Sequence, residues 1–151
     1  MNTSVTSLGG LQSVGTLSTE NNPLASLGSL KTVKKDLILM GCPITSLGGL
    51  QSVGETLSLK DTEVSQIEEG LSPRNLYLNG TPVCDVSKLK GIGSVGIDGF
   101  GIVALKRAKG IFRSYREEVS KKDKEDLPRL AHQAEHKWQQ AIIKDHMKER
   151  G

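Results

Sequence analysis

A leucine-type residue, followed two and seven positions later by further mostly aliphatic residues, recurs five times in the first two thirds of the chain. Successive copies start 20, 20, 19 and 19 residues apart. Alternating apolar positions indicate short strands with one buried face. A fixed period of about twenty residues predicts a solenoid, because one unit of this size buries its apolar face only by stacking on its neighbours. The predicted strand cores are residues 17–19, 37–39, 57–59, 76–78 and 95–97.

The alternation assigns one side of each predicted strand to the interior. The residues between the inward positions then face out on a concave sheet. Turn-forming residues follow the first four strand cores, at 21–23, 41–43, 61–62 and 79–82. Because the crossovers between strands are this short, we expect turns or single turns of 3₁₀ helix on the convex side. The predicted inward residues are Leu17, Leu37, Leu57, Leu76 and Val95.

These segments resemble the leucine-rich repeat family, whose pattern is L-x-x-L-x-L-x-x-N/C-x-L. The lead-in Ser-Leu-Gly-Gly-Leu-Gln-Ser-Val, at 7–14 and again at 46–53, is similar to the repeats of receptor L domains. The resemblance implies an α/β solenoid, a short right-handed leucine-rich repeat coil with a parallel concave sheet. The matching residues are Val14, Leu17, Thr19, Asn22 and Leu24, then Val33, Leu37, Leu39, Cys42 and Ile44, then Val53, Leu57, Leu59, Thr62 and Val64, then Leu76, Leu78, Thr81 and Val83.

The position that holds Asn or Cys in the family pattern differs in the later copies. Thr62 and Thr81 occupy it in the third and fourth copies, and Phe100 occupies it in the fifth. In the family, the side chains at this position form a buried polar column, or ladder, that hydrogen-bonds to backbone groups of the turns. Since buried backbone groups need such partners, we expect the coil to be irregular at these places.

After residue 102 the apolar spacing becomes helical. A stripe with intervals of three and four residues predicts a helix from 103 to about 121 that caps the open end of the solenoid. Asp126, which precedes Leu127 and Pro128, predicts the start of a second helix running to about Lys148. The sequence thus predicts about five repeats over 1–102 and a basic helical cap and extension over 103–151. The stripes are Leu105, Ala108, Phe112, Tyr115 and Val119, then Leu130, Ala134, Trp138, Ala141 and Ile142.

Composition agrees with aliphatic layers, since 36% of residues are hydrophobic but only 3% are aromatic. No run of eighteen apolar residues exists, and the first residues lack the pattern of a signal or organelle presequence. Cys42 stands at a ladder position and Cys84 lies in another repeat, so we expect buried structural thiols and not a disulfide. An intracellular, reducing compartment, cytoplasmic or organellar, is therefore predicted.

The net charge of +3 conceals an uneven distribution. Residues 1–102 hold 7 Lys and Arg against 9 Asp and Glu, whereas residues 103–151 hold 13 against 8. Five cations fall within three turns of the first predicted helix and favour contact with RNA phosphates or with an acidic protein. These cations are Lys106, Arg107, Lys109, Arg113 and Arg116.

Apolar side chains interrupt the otherwise polar concave face. Ile38, Met40 and Tyr77 occupy outward strand positions, and Lys60 lies beside them in the predicted columns. Exposed apolar anchors of this kind are typical of protein interfaces, so we predict that these four residues contact a protein partner. The alternative is that they are tolerated exposed residues without a partner.

The amino-terminal end begins with repeat material and has no capping helix before it. Val5, Leu8, Leu11 and Val14 are already in phase with the repeats. Exposed strand edges and apolar layers rarely stay free, so we expect a partner or a second copy of the chain to cover this end. The alternative is that residues 1–16 coil back as an irregular lid.

Two motifs raise the question of catalysis. Residues 91–96 match G-x-G-x-x-G, but that nucleotide fingerprint needs a strand before it and a helix after it, and here a strand follows. Residues 132–136 read H-x-x-E-H, in which His132 and His136 would share one helical face and grip zinc with Glu135 as a general base. A third protein ligand is not evident in the sequence, so solvated histidines are the alternative.

These observations favour a non-enzymatic protein-interaction or scaffold subunit that docks through its concave face and basic carboxy-terminal helices into a larger intracellular assembly. A ribonucleoprotein such as a ribosome is one such assembly, and a cytoskeletal or ciliary scaffold is another. A zinc-dependent hydrolase built on residues 132–136 is the alternative from a different class. No cofactor, membrane contact or small-molecule substrate is expected, because a thin repeat wall offers shape for docking.

Overall fold

The computed structural model describes residues 8–21 and 23–150. The strands are β1 (Ser13–Val14), β2 (Leu17–Glu20), β3 (Thr32–Val33), β4 (Leu37–Met40), β5 (Ser52–Val53), β6 (Thr56–Ser58), β7 (Asn75–Tyr77), β8 (Ser94–Ile97) and β9 (Gly101–Val103). The helices are α1 (Leu105–Ser120), α2 (Leu127–Gln133) and α3 (Lys137–Arg150), with a 3₁₀ turn at Lys124–Asp126 between α1 and α2.

Five strands line up side by side at the predicted places. The main sheet has the order β2-β4-β6-β7-β8-β9, and its first five strands are parallel. The inward residues pair in one register, Leu17 with Leu37, then Leu57, Leu76 and Val95. The chain therefore forms a stacked coil of about four turns, which confirms the solenoid predicted from the twenty-residue rhythm.

Aliphatic side chains fill the interior of the coil. Leu37, Leu57, Leu76 and Val95 are completely buried, and one continuous apolar cluster runs from the second coil into the helices. Each layer is thin, so it is sealed only by the layers above and below it. Cys42 and Cys84 are free and buried, as predicted for structural thiols.

The convex side carries one tight turn per coil, as expected. In the second coil, for example, the Leu30 N–H donates to the Leu27 carbonyl, and Leu50 repeats the bond to Leu47 in the third. A small parallel sheet, β1-β3-β5, accompanies these turns and was not predicted as strands. Within the described part of the solenoid no 3₁₀ turn occurs.

The coil stays regular at Thr62 and Thr81, contrary to the sequence prediction. Both side chains are fully buried, and their hydroxyls donate to the carbonyls of Leu59 and Leu78, three residues earlier. Each threonine thus satisfies its own turn locally and does not need a ladder to the next coil. The ladder position at residue 22 lies outside the described residues.

The fifth repeat does not continue as the pattern suggested. After β8 the chain reverses at 98–100 and returns as β9, which is antiparallel to β8. Ile102, seven positions after Val95 in the fifth copy, is 65% exposed, and Phe100 is 46% exposed. The concave sheet is consequently parallel over five strands and antiparallel at its last edge.

The helix α1 closes this end of the solenoid. It packs against β8 and buries Ala108, Phe112 and Val119 of the predicted stripe. The helix begins at Leu105, two residues after the predicted start at 103. No helix in residues 105–150 is long and apolar enough to cross a membrane.

The second predicted helix is two helices, α2 and α3, separated at 134–136. Ala134 adopts an extended conformation, and the His136 N–H then donates to the Gln139 side chain at the start of α3. The break turns α3 so that Trp138 is buried against Phe112 and Tyr115 of α1. Its indole N–H donates to the Asp98 carbonyl, which joins α3 to the end of the sheet.

Candidate protein-binding surface

The concave face consists of three registered columns of outward side chains. A polar column lies at the strand starts, where Ser94 donates to Asn75 and Asn75 donates to Thr56. The Thr56 N–H in turn donates to the Asp36 carboxylate. These bonds link neighbouring coils and leave few free polar groups in this column. The central column contains Ser18, Ile38, Ser58, Tyr77, Gly96 and Ile102.

Ile102 joins the central column because β9 is antiparallel to β8. It lies directly opposite Gly96, and directly opposed residues of an antiparallel pair point to the same face. The apolar row therefore runs from Ile38 through Tyr77 to Ile102. Sequence reasoning missed Ile102, because a reversal of the chain is not visible in a repeat pattern.

The Tyr77 ring packs close to Gly96 on the concave face. A Cβ at Gly96 would come within 2.9 Å of the ring, so only glycine leaves room for it there. The Lys60 ammonium lies 5.2 Å from the ring centroid, a cation–π contact. Lys60 and Tyr77, both predicted to contact a protein partner, therefore lie next to each other. Ile38 and Met40 lie on β4, in the same two columns, and all four side chains are half-buried.

Ser58 occupies the centre of the row and has an unusual environment. Its side chain is buried between the positions of Ile38 and Tyr77, and its hydroxyl oxygen has no hydrogen-bond partner among the described residues. An unpaired buried hydroxyl costs on the order of 1–3 kcal/mol. A bound partner that hydrogen-bonds Ser58 would recover that cost.

The third column supplies charge around the apolar row. Glu20, Met40, Lys60, Asn79 and Asp98 form this column. The Asp98 carboxylate accepts the Gly80 N–H at 2.7 Å and also a bond from Asn79. Lys60 is the one cation of the three columns, and its charge lies beside the apolar row.

The five cations predicted on α1 do not form one surface. Lys106, Lys109 and Arg113 lie along one side of the helix at spacings of three and four residues. Arg107 lies elsewhere and lines a cleft of about 560 Å³ with Phe100, Tyr115 and Trp138. The Arg116 side chain bonds to Cys84, so Lys106, Lys109 and Arg113 remain as a basic stripe, with Lys106 and Arg113 exposed and Lys109 half-buried.

Arg116 joins α1 to the fourth coil. Its guanidinium donates to the Cys84 carbonyl at 2.9 Å and to the Cys84 sulfur at 3.2 Å, and it approaches the Asp145 carboxylate of α3 at 3.9 Å. Burial raises the pKa of the Cys84 thiol, although the nearby Arg116 charge opposes the shift. Arg116 thus links α1 to the fourth coil, with a side chain that stays 33% exposed.

Arg116 also borders a cleft of about 760 Å³ between α3 and the convex loops. Its charged residues are balanced, so the cleft shows no net preference for an anion or a cation. The hydrogen bonds from Ser87 lower the pKa of Asp85, one of the acids in this cleft. Its charged residues are Lys88, Arg116, Lys144, Lys148, Glu68, Glu69, Asp85 and Asp145.

The H-x-x-E-H residues lack the geometry that the zinc hypothesis requires. His132 lies in α2, whereas Glu135 and His136 lie in the break before α3, so the imidazoles do not share a helical face. The His136 ring stacks on Trp138 at 6.3 Å and lies against Gly99. Among residues 8–21 and 23–148, no three His, Cys, Asp or Glu side chains are placed to hold one metal ion.

The glycines at 91–96 form the entry into the fifth strand. Gly91 has a left-handed φ of 71°, and the strand β8 begins at Ser94 with no helix opening on the motif. The order of elements required for nucleotide binding is therefore not present at these glycines.

Comparison with known proteins gave no relative: the chain matches no protein-family model, no curated protein and no solved structure.

Proposed function

We propose that the coils are leucine-rich repeats and that the chain is a non-enzymatic interaction subunit, which binds a protein partner through its concave face within a larger intracellular assembly. The observation that carries the proposal is the registered apolar row of Ile38, Tyr77 and Ile102 on an otherwise polar sheet. Half-exposed aromatic and aliphatic side chains in a concave surface are the usual anchors of a protein interface.

The chemistry of the row suggests the kind of partner segment. Apolar side chains of the partner would pack on Ile38, Met40 and Ile102 and on the ring of Tyr77. A carboxylate of the partner would pair with Lys60, which lies beside the ring. A donor or acceptor in the same segment is proposed to bond the unpaired Ser58 hydroxyl, which lies between the positions of Ile38 and Tyr77.

Affinity capture from cells, followed by binding measurements with the captured partner, tests this proposal. The double substitution of Tyr77 and Met40 with alanine should weaken binding by at least about 30-fold, the effect of losing one interface hot spot. Ile102→Lys should weaken binding too, because it places a charge in the apolar row. Ile102 is exposed, so the change should leave the fold intact.

Lys31→Ala with Gln51→Ala provides the matched control. Both residues are exposed and lie away from the concave face, so binding should stay unchanged. If the concave-face variants and the control variant all bind as tightly as the natural chain, the concave face is not the docking surface.

The basic stripe of α1 supports a second contact, with RNA of a ribonucleoprotein as the candidate. Lys106 and Arg113 are exposed and Lys109 is partly exposed, which suits phosphate contacts but not reading of bases. Three phosphate contacts with single-stranded RNA predict a slope of log K against log salt of about −2. A slope near zero would argue against phosphate contacts and leave an acidic protein, as in a cytoskeletal or ciliary scaffold, as the alternative partner.

A further inference from the structure

The first coil exposes side chains that are sealed in the coils after it. Leu11 is 42% exposed, whereas its repeat equivalents Leu30 and Leu50 are 0% and 2% exposed. Leu8, Val14 and Leu17 are likewise half-buried in the first coil, and their equivalents in the second and third coils are buried. Each later coil is covered by the one before it. The described residues contain no coil that covers the first.

The same edge has few of the features that protect edge strands. The strand β2 is the outermost strand of the main sheet among the described residues. Residues 8–19 include no charged residue and no proline, and Glu20, the last residue of β2, is the first charge. Charges, proline and bulges are the usual means by which an edge strand avoids pairing with another chain. The next coil, by contrast, exposes Lys31, Lys34 and Lys35.

The chemistry of this face indicates what would cover it. Residues 7–15 and residues 46–54 are identical over all nine positions, Ser-Leu-Gly-Gly-Leu-Gln-Ser-Val-Gly. In the third coil this segment packs against the second coil, so the same face in the first coil suits another layer of repeat side chains. A second copy of the chain supplies such a layer.

Only one arrangement of two copies remains open. The opposite end of the solenoid is closed by β9 and by α1, whose Ala108 and Phe112 are buried against it. Head-to-tail stacking is therefore blocked, and a twofold, head-to-head contact is left. The low charge of this edge suits the contact, because identical charges would otherwise face one another across the axis, and Glu20 at the end of β2 lies away from its middle.

We propose that two copies of this chain join through their first coils, with β2 pairing antiparallel to β2 of the other copy. The Leu17 and Asn21 N–H groups point toward β4, so the Ser18 and Glu20 backbone groups point to the free edge. Pairing Ser18 with Ser18 of the second copy places Glu20 opposite Thr16 and no charge opposite a like charge. Leu11, Val14 and Leu17 are covered in this contact.

The dimer would double the concave surface. A twofold axis perpendicular to the sheet keeps the two concave faces on one side, so two six-stranded sheets form one continuous sheet. This inference rests on the exposed first coil alone and does not depend on what binds the concave face.

Light scattering during size-exclusion chromatography at about 100 µM protein tests the proposal. The natural chain should have twice its 16.3 kDa mass. Leu11→Lys should reduce the mass to that of one chain, because it places charge in the contact. Ile102→Lys, at an exposed apolar position at the other end of the sheet, is the control and should leave the dimer intact.

A monomeric natural chain, a larger oligomer, or a Leu11→Lys protein that is still dimeric would overturn the proposal.

A crosslinking experiment with Ser18→Cys gives a second measurement that does not disturb the edge. Opposed residues of a hydrogen-bonded antiparallel pair have Cα atoms about 5.5 Å apart, within the range of a disulfide. Mild oxidation should therefore link two Ser18→Cys chains, while the native Cys42 and Cys84 are buried and stay free. Ile102→Cys is the control. Equal rates of crosslinking at the two positions would contradict the head-to-head contact.

Discussion

Each of the five parallel strands of the concave sheet is followed by a corner. One residue with a left-handed backbone conformation turns the chain at each corner. Left-handed conformations favour glycine, and otherwise asparagine or aspartate, which explains the residue types at these corners. The stacked corners also interlock, since the Asn21 side chain lies over Gly41 and the Asp61 side chain lies over Gly80. The corner residues are Asn21, Gly41, Asp61, Gly80 and Gly99.

Gly41→Ala should therefore destabilise the protein. The new methyl group would collide with the Asn21 carboxamide, and alanine disfavours the φ of 69° at this corner. We expect a loss of about 1–3 kcal/mol in the free energy of unfolding, measured by urea denaturation. Gly49→Ala is the matched control, because Gly49 has open space around it and no positive φ. A Gly41→Ala protein as stable as the Gly49→Ala protein would contradict this account.

Ile102 and Arg116 show what a local pattern leaves out. The repeat pattern continues through Ile102, and charge alone groups Arg116 with the other cations of α1. In the structure a hairpin exposes Ile102, and the Arg116 guanidinium bonds to the Cys84 carbonyl and sulfur. The first depends on a reversal of the chain and the second on a residue 32 positions away, and repeat spacing specifies neither.

At the scale of elements, the break between α2 and α3 illustrates the same limit. The local spacing of apolar residues fits one helix from 127 to 148, and the stripe residues Trp138 and Ile142 are indeed buried. The break lets α3 reach the end of the sheet, through Trp138 to Asp98, and the third coil, through Lys137 to Glu63. Tertiary contacts here override the helical preference of the segment.

The contact between α1 and the fourth coil gives a prediction about pH. Burial raises the pKa of Cys84 above its ordinary value, so the folded protein favours the neutral thiol. The stabilisation that this shift provides is complete below the unfolded-state pKa, about 8.5, and is lost as the pH rises through the folded-state pKa. The free energy of unfolding should therefore fall between about pH 8 and about pH 10, a range that includes the unfolded-state pKa. The fall should be larger for the natural chain than for the Cys84→Ala protein.

Comparing the two proteins removes contributions common to both, including that of Tyr115, whose pKa burial also raises. Urea denaturation at several pH values provides the measurement. Parallel pH profiles for the natural chain and the Cys84→Ala protein would show that the thiol is not buried in solution.

At the scale of the whole molecule, stability should depend on position along the stack. Leu57 is enclosed by a coil on each side, whereas the equivalent Leu17 has a described neighbour on one side only. Leu57→Ala should cost about 2–5 kcal/mol, in the range for a fully buried leucine. Leu17→Ala should cost less than half as much when measured at a protein concentration low enough to keep the chain monomeric.

The same pair of variants connects stability to association. If two chains join through their first coils, the cost of Leu17→Ala should increase with protein concentration, because the residue is then covered in the dimer. The cost of Leu57→Ala should not depend on concentration. Equal costs for both variants at every concentration would mean that the first coil is already sealed within one chain.

The sequence by itself determined the stacked coil, the register of five strands and the first capping helix, because a repeated aliphatic spacing constrains each unit in the same way. It also located the half-buried apolar residues Ile38, Met40 and Tyr77. Only the tertiary structure decided the hairpin that adds Ile102 to that face, the bonds that engage Arg116 and the break at 134–136. These features depend on contacts between segments 30 or more residues apart or on a change in chain direction, and a one-dimensional pattern specifies neither.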